Sequence, residues 1–90
     1  MNTIQEIKDY IEERGYESVT IFDNPAYCGA FIGVSHDERA IYDYNKMVQC
    51  LMSEDGMEYE DAVEFIDYNT IRALPYIGDR SPIVLYPVDE

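Results

Sequence analysis

Positive charge is scarce in this chain. Its 90 residues carry 6 Lys and Arg against 19 Asp and Glu, a formal net charge of −13. A direct grip on DNA, RNA or an anionic membrane would therefore begin with repulsion. Histidine is nearly absent too. His36 is the only one, and Ser35 beside it points away, because neighbouring side chains on an extended chain diverge. No His-centred nucleophile arrangement is visible. Cys28 and Cys50 are the only cysteines and have no zinc or C-x-x-C spacing. They read as small core residues of a reducing compartment. Gly29 and Gly33 fit neither G-x-G-x-x-G nor a P-loop, which removes the common nucleotide cradles. No apolar run is long enough to cross a bilayer, and MNTIQEIKDYIEER lacks the apolar stretch of a secretory leader. The expectation is a soluble, cytoplasmic protein with no cofactor.

What is present suits one small folded domain spanning residues 1–90. Hydrophobic residues make up 47% and aromatics 13%, too apolar for a disordered chain. Nine tyrosines stand against no tryptophan. Tyrosine suits positions where the ring packs and the hydroxyl stays wet or bonded.

The pattern predicts the order α-β-β-β-α-α-β. Thr3 and Glu6 form a T-x-x-E capping box for a helix over residues 3–14, with Ile4, Ile7 and Ile11 on one face and Gly15 as the stop. ESVTIFD, residues 17–23, alternates like a strand, and DNPAY breaks it. CGAFIGVS, residues 28–35, reads as a second strand with Ala30, Ile32 and Val34 on one face. Its two glycines suggest a bulge or a close approach by another element. SHDER turns into a short strand over 39–43. Asp43 caps a helix over 44–53, with Tyr44, Met47, Val48 and Leu51 at helical spacing. Another helix follows over about 58–69. TIRALPY, residues 70–76, should leave the helix, with Leu74 extended because it precedes Pro75. PIVLYPV, residues 82–88, closes the chain as an edge strand bracketed by prolines. The resulting fold class is α+β, with helices on one face of a mainly antiparallel sheet of three to four strands.

Several segments, DNPAY, IGVSHDERAIYDYNKMV, MEYEDAVEFI and YNTIRALPY, together resemble a family of short, acidic, uncharacterised bacterial proteins. The likeness spans roughly residues 22–86, and YNTIRALPY is its most specific part. It implies a setting in Firmicutes or gut bacteria, often in phages or mobile elements. It carries no activity, cofactor or catalytic residue.

The remaining signal is acidic. Glu60, Glu64 and Asp67 recur at i, i+4, i+7 on the third helix, with Asp61 adjacent. Glu6, Asp9 and Glu13 repeat the motif on the first. Like charges at this spacing cost about 0.2–0.5 kcal/mol per pair. Two such rows could stand in for a row of phosphates, as in a DNA mimic that occupies the groove of a nucleic-acid-binding protein. A plain solvated face predicts the same pattern. Arg72 is expected to fold back onto the acidic helix near Glu64 and Asp67, and Arg80 to be solvated. Asn69, Thr70 and Arg72 form the one polar loop that could hold a site. His36, Asp37 and Glu38 are adjacent in a turn and do not converge easily on one ion, while SEDGMEYED lacks the EF-hand register.

The expected function is a non-enzymatic protein-interaction or regulatory module that favours a basic partner surface. The candidate contact residues are Glu60, Asp61, Glu64, Asp67, Tyr68 and Arg72, with Glu6, Asp9 and Glu13. Two alternatives stand beside it. One is a homodimer built on exposed tyrosines and methionines, with charge serving only solubility. The other is a small enzyme or divalent-cation binder without a recognisable motif.

Overall fold

A computed structural model describes residues 2–88. Thr3 opens helix α1 (Ile4–Glu13): its hydroxyl accepts from the Glu6 amide at 3.1 Å, and the Glu6 carboxylate reaches back to the Asn2 amide at 3.1 Å. Gly15, at φ +76°, ends the helix in a conformation that side chains disfavour. The Gly15 and Tyr16 amides donate to Glu12 and Ile11, the paired bonds of a Schellman stop.

The expected strand over 17–23 does not form. Ser18 sits at φ +56°, which breaks an extended run, and no neighbouring strand pairs with the segment. Side chains take its amides instead. Glu38 accepts from the Glu17 amide at 2.8 Å, and the Tyr42 hydroxyl accepts from the Phe22 amide at 3.3 Å. Val19, Ile21 and Phe22 still pack against the core, so the alternation reports burial without a ladder.

The expected strand over 28–35 is also shorter. Asn24 accepts from the Ala26 amide at 3.0 Å and Pro25 pre-sets φ, so Pro25–Ala30 winds into a 3-10 turn that buries Tyr27, Cys28 and Ala30. Strand β1 (Phe31–Val34) begins only after it. Phe31 takes the buried side and Ile32 is exposed, on opposite faces as the alternation implied. The two glycines behave as anticipated. The register slips between Phe31 and Gly33, and a side chain on Gly29 would meet the Cys50 sulfur at 3.2 Å.

Strand β2 (Ala40–Asp43) and helix α2 (Tyr44–Glu54) fall where the pattern put them, with Asp43 capping the Lys46 amide at 3.0 Å. Helix α3 (Tyr59–Phe65) does not give way to a loop at 70. It passes into a π turn (Ile66–Thr70), a 3-10 turn (Ile71–Ala73) and a last short helix α4 (Leu74–Ile77). Leu74 is helical, at φ −54° and ψ −44°, contrary to expectation. The wider and tighter turns reset the hydrogen-bond ladder, so Pro75 lies in the first turn of α4. A missing N–H costs little there.

Strand β3 (Ile83–Leu85) lies at the sheet edge, in the order β1-β2-β3. It runs parallel to β2, with Ile41 opposite Ile83 and Asp43 opposite Leu85, while β1 and β2 are antiparallel. The sheet is thus mixed and has three strands. Parallel neighbours need a long crossover, and the helical run from Tyr44 to Ile77 supplies it.

The core forms where α2 packs on the 3-10 turn and both meet the sheet. Ile7, Met47, Leu51, Ala62 and Ile66 close around a chain of rings. Tyr10 meets Phe31 at 5.9 Å, Phe31 meets Tyr42 at 5.7 Å, Tyr42 meets Phe22 at 4.7 Å, and Phe22 meets Tyr27 at 5.5 Å. Edge and tilted contacts of this kind are favourable beyond simple area burial. No helix among the described residues is long and apolar enough to cross a membrane.

Candidate functional site

The arginines account for much of the positive charge, and each is engaged by its own chain. Arg39 donates to the Ser81 carbonyl at 2.9 Å and to its hydroxyl at 3.4 Å, fixing the entry to β3. Arg80 donates to the Asp37 carbonyl at 2.7 Å, so it ties that entry to the hairpin turn and is not simply solvated. Arg14 lies over the Tyr10 ring at 4.9 Å. Arg72 lies over the Tyr68 ring at 5.4 Å, and this stacking replaces the expected fold-back onto Glu64 and Asp67.

The carboxylates, by contrast, face outward. Glu6, Asp9 and Glu13 on α1 are exposed, as are Glu60, Asp61, Glu64 and Asp67. The two rows sit on helices that pack chiefly through intermediate elements. Helix α1 docks on the 3-10 turn, that turn docks on α2, and α2 docks on α3. The row on α3 is itself divided. Asp61 and Glu64 line a groove of about 450 Å³ with Met57, Phe65, Tyr68 and Asn69. Glu60 does not line it. Asp67, one residue into the π turn, lies close enough to Tyr44 to raise its hydroxyl pKa, after burial and ahead of Tyr86 and Tyr59.

A second cavity, of about 270 Å³, shares the lining residues Phe65 and Asn69 with the first, so the two are neighbours. Asn69 and Thr70 of the π turn line it together with Phe22, Asp23, Asn24, Tyr27, Ala73 and Ile77. Two of these residues meet directly: the Tyr27 hydroxyl and the Thr70 hydroxyl share a hydrogen bond of 2.7 Å. Both residues are buried, at 2% and 7% exposure. Burial pushes the Tyr27 hydroxyl pKa up, more than the Thr70 bond pulls it down. A π turn carries one residue more than an α-helical turn and often marks a functional position. Here it places a threonine inside the domain while Asp67, Tyr68 and Asn69 stay outside.

Of the candidate contact residues, the structure brings Asp61, Glu64 and Tyr68 together in one groove and sets Arg72 on the Tyr68 ring. Glu60, Asp67 and the α1 acids do not line that groove. Asn69 and Thr70 are joined to a site through the π turn, where a loop was expected. Tyr27, Asn24 and Phe22 escape sequence reasoning because they come from a segment more than forty positions away, as the Tyr27–Thr70 separation of 43 shows. The only local signal was the turn-forming DNP. Among the described residues no group of three or more His, Cys, Asp or Glu is placed to hold a metal ion. Cys28 and Cys50 are free thiols whose pKa values burial pushes up.

No family model, curated protein or solved structure matches the chain.

Proposed function

We propose that this protein is a small, acidic, non-enzymatic interaction module that docks on a basic protein surface. The observation that carries the reading is the groove beside α3, whose lining joins the acids Asp61 and Glu64 to the apolar Met57, Phe65 and Tyr68. A lysine or arginine needs both features: a carboxylate for its charge and a ring or methylene surface for its stem. The Arg72 guanidinium over Tyr68 demonstrates that this ring accepts a cation. All four arginines are spent on contacts within the chain, so the excess of carboxylates is left to attract a partner.

The favoured target is a nucleic-acid-binding protein, whose basic groove the acidic face would occupy in place of phosphates. The setting would be a bacterial or phage-infected cytoplasm, in keeping with the resemblance carried by YNTIRALPY. The row on α3 would carry the contact, since Asp61 and Glu64 line the groove and no acid of α1 does.

Calorimetric titration with an arginine- and lysine-rich peptide tests the reading, with a glutamate-rich peptide of equal length as control. The basic peptide should bind, weaken steeply between low and physiological salt, and lose affinity when Asp61 and Glu64 are changed to lysine. Binding that ignores both salt and these substitutions would overturn the proposal. A lysate pull-down at the same two salt concentrations would then identify the natural target.

One further observation favours a second reading, self-association. Tyr86 stacks against Tyr44 at 4.7 Å beside the edge strand β3, and Tyr59, Tyr86 and Leu85 are all exposed there. Light scattering at micromolar concentration separates the two: a dimer split by Tyr86→Ser supports the second reading, and a strict monomer ends it.

A further inference from the structure

We propose that residues 18–22 are a strand without a ladder, which an extended basic segment of a partner protein completes by backbone pairing. The inference goes beyond the α3 groove, because it rests on main-chain groups of a different segment.

The segment ESVTIFD carries β-branched and aromatic residues in alternation, the composition of a strand. Its chain bends at Ser18 and at Asp23 and runs without a bend between them. Side chains from the hairpin hold both ends. The Glu38 carboxylate accepts from the Glu17 amide at 2.8 Å, and the Tyr42 hydroxyl accepts from the Phe22 amide at 3.3 Å. Val19, Ile21 and Phe22 are half-buried and pack against the core. A partner that pairs with this run therefore has little of it left to order, which lowers the entropic cost of binding.

The ladder itself is missing. No strand of the sheet pairs with the run. Among the described residues, the N–H and C=O groups of Val19, Thr20 and Ile21 make no hydrogen bond. Water satisfies such groups where they are exposed, but a row of them is also a template for another chain. Strand addition uses this feature: main-chain bonds supply affinity, and alternate side chains supply specificity.

Charge selects the occupant. Exposed carboxylates stand at both ends of the run, on Glu17 and Asp23. Val19 and Ile21 share a groove of about 500 Å³ with Ile11 of α1, and its charged lining is Glu12, Glu17 and Lys8. A second copy fits poorly. Paired antiparallel about Thr20, Glu17 of each copy falls opposite Asp23 of the other, and like charges directly opposite destabilise a ladder. A strand with lysine or arginine at those positions turns both contacts favourable.

NMR titration of the full chain tests this with a capped peptide of alternating lysine and valine, long enough to cover Ser18–Asp23. The Val19, Thr20 and Ile21 amide signals should shift saturably, and their exchange with solvent should slow at saturation. The same peptide with its backbone amides methylated keeps its charge and loses its donors. It should bind there about tenfold more weakly or worse, as should a glutamate–valine peptide. The double variant D61K/E64K should leave this binding unchanged, while the Asp61 and Glu64 amide signals of the wild type report the α3 groove separately in the same spectra. Failure at one site is thus visible independently of the other. The proposal is overturned if the three amides stay unmoved, if the methylated or the acidic peptide binds equally well, or if D61K/E64K abolishes the shifts. It is overturned too if those amides shift with protein concentration alone, because the occupant is then a second copy.

Discussion

Taking one hydroxyl from the Tyr27–Thr70 pair should cost more than taking both. Tyr27→Phe leaves the Thr70 oxygen alone at 7% exposure, and Thr70→Val leaves the Tyr27 oxygen alone at 2% exposure. A buried polar group stripped of its partner loses about 1–3 kcal/mol. The adjoining cavity of about 270 Å³ is roomy enough to admit a water, which places each single change in the lower half of that range, about 1–2 kcal/mol. Packing changes little in either case. The Phe22 contact at 5.5 Å involves the Tyr27 ring and not its hydroxyl, and threonine and valine are both β-branched and close in volume. The double variant removes the polar pair outright and should stay within about 1 kcal/mol of the wild type. The expected coupling between the two sites is therefore at least about 1 kcal/mol. Urea unfolding followed by circular dichroism, with slopes compared as well as midpoints, measures all four corners of the cycle. For a domain of this size about 1 kcal/mol corresponds to roughly 4–8 °C in Tm, so thermal melts provide a second reading. Strictly additive costs, or single variants as stable as the wild type, would refute a mutually dependent pair beside the cavity.

Other consequences can be checked separately. Burial pushes the Tyr42 hydroxyl up to about 12 from an ordinary 10.0, and Tyr27 and Tyr44 are raised as well, so ultraviolet titration should show several tyrosines ionising late, Tyr42 among them. The sign follows from proton linkage. The native state holds that proton more tightly than the unfolded chain, so the stabilisation is complete below pH 10 and is lost as pH rises from 10 to 12, by up to roughly 3 kcal/mol. Tyr42→Phe should flatten that alkaline slope; an unchanged slope would point to other groups. Asp43→Ala removes the cap on α2 and should destabilise by about 1 kcal/mol, read from the urea midpoint. Reversing charge at Asp61 and Glu64 should change peptide affinity while leaving the urea midpoint within about 0.5 kcal/mol, because both side chains are exposed. A large loss of stability would mean that these acids hold the fold.

Particular elements mark how far the pattern reached. Strand β2, helix α2 and the two ends of α1 were legible because their signals are local: a capping side chain, a glycine stop, and apolar residues at the correct spacing. The strand over 17–23 was not, because alternation reports which side chains are buried and says nothing of whether a neighbour offers a ladder. Leu74 was misplaced for a related reason. The rule against helical residues before proline is a preference of about the size that a reset hydrogen-bond ladder overcomes, and that reset was set in motion upstream at Ile66. Asp61 and Glu64 were expected on the helix surface and are exposed there, whereas Tyr68, read as an extension of the apolar face, is exposed too. Their grouping with Met57 and Phe65, and the separation of Glu60 and Asp67 from them, depended on the phase of α3 as it enters the π turn.

The amino-acid sequence alone determined the balance of charge, the α+β class and the outward position of the acids. Charged side chains stay in water unless something compensates for their burial, and periodic apolar residues dictate which face turns inward. Only the tertiary structure decided that the sheet is mixed and that Thr70 meets Tyr27 beside a cavity. Each of these joins segments distant along the chain. Such contacts are chosen by how the whole set of faces packs at once, and no local spacing records that choice.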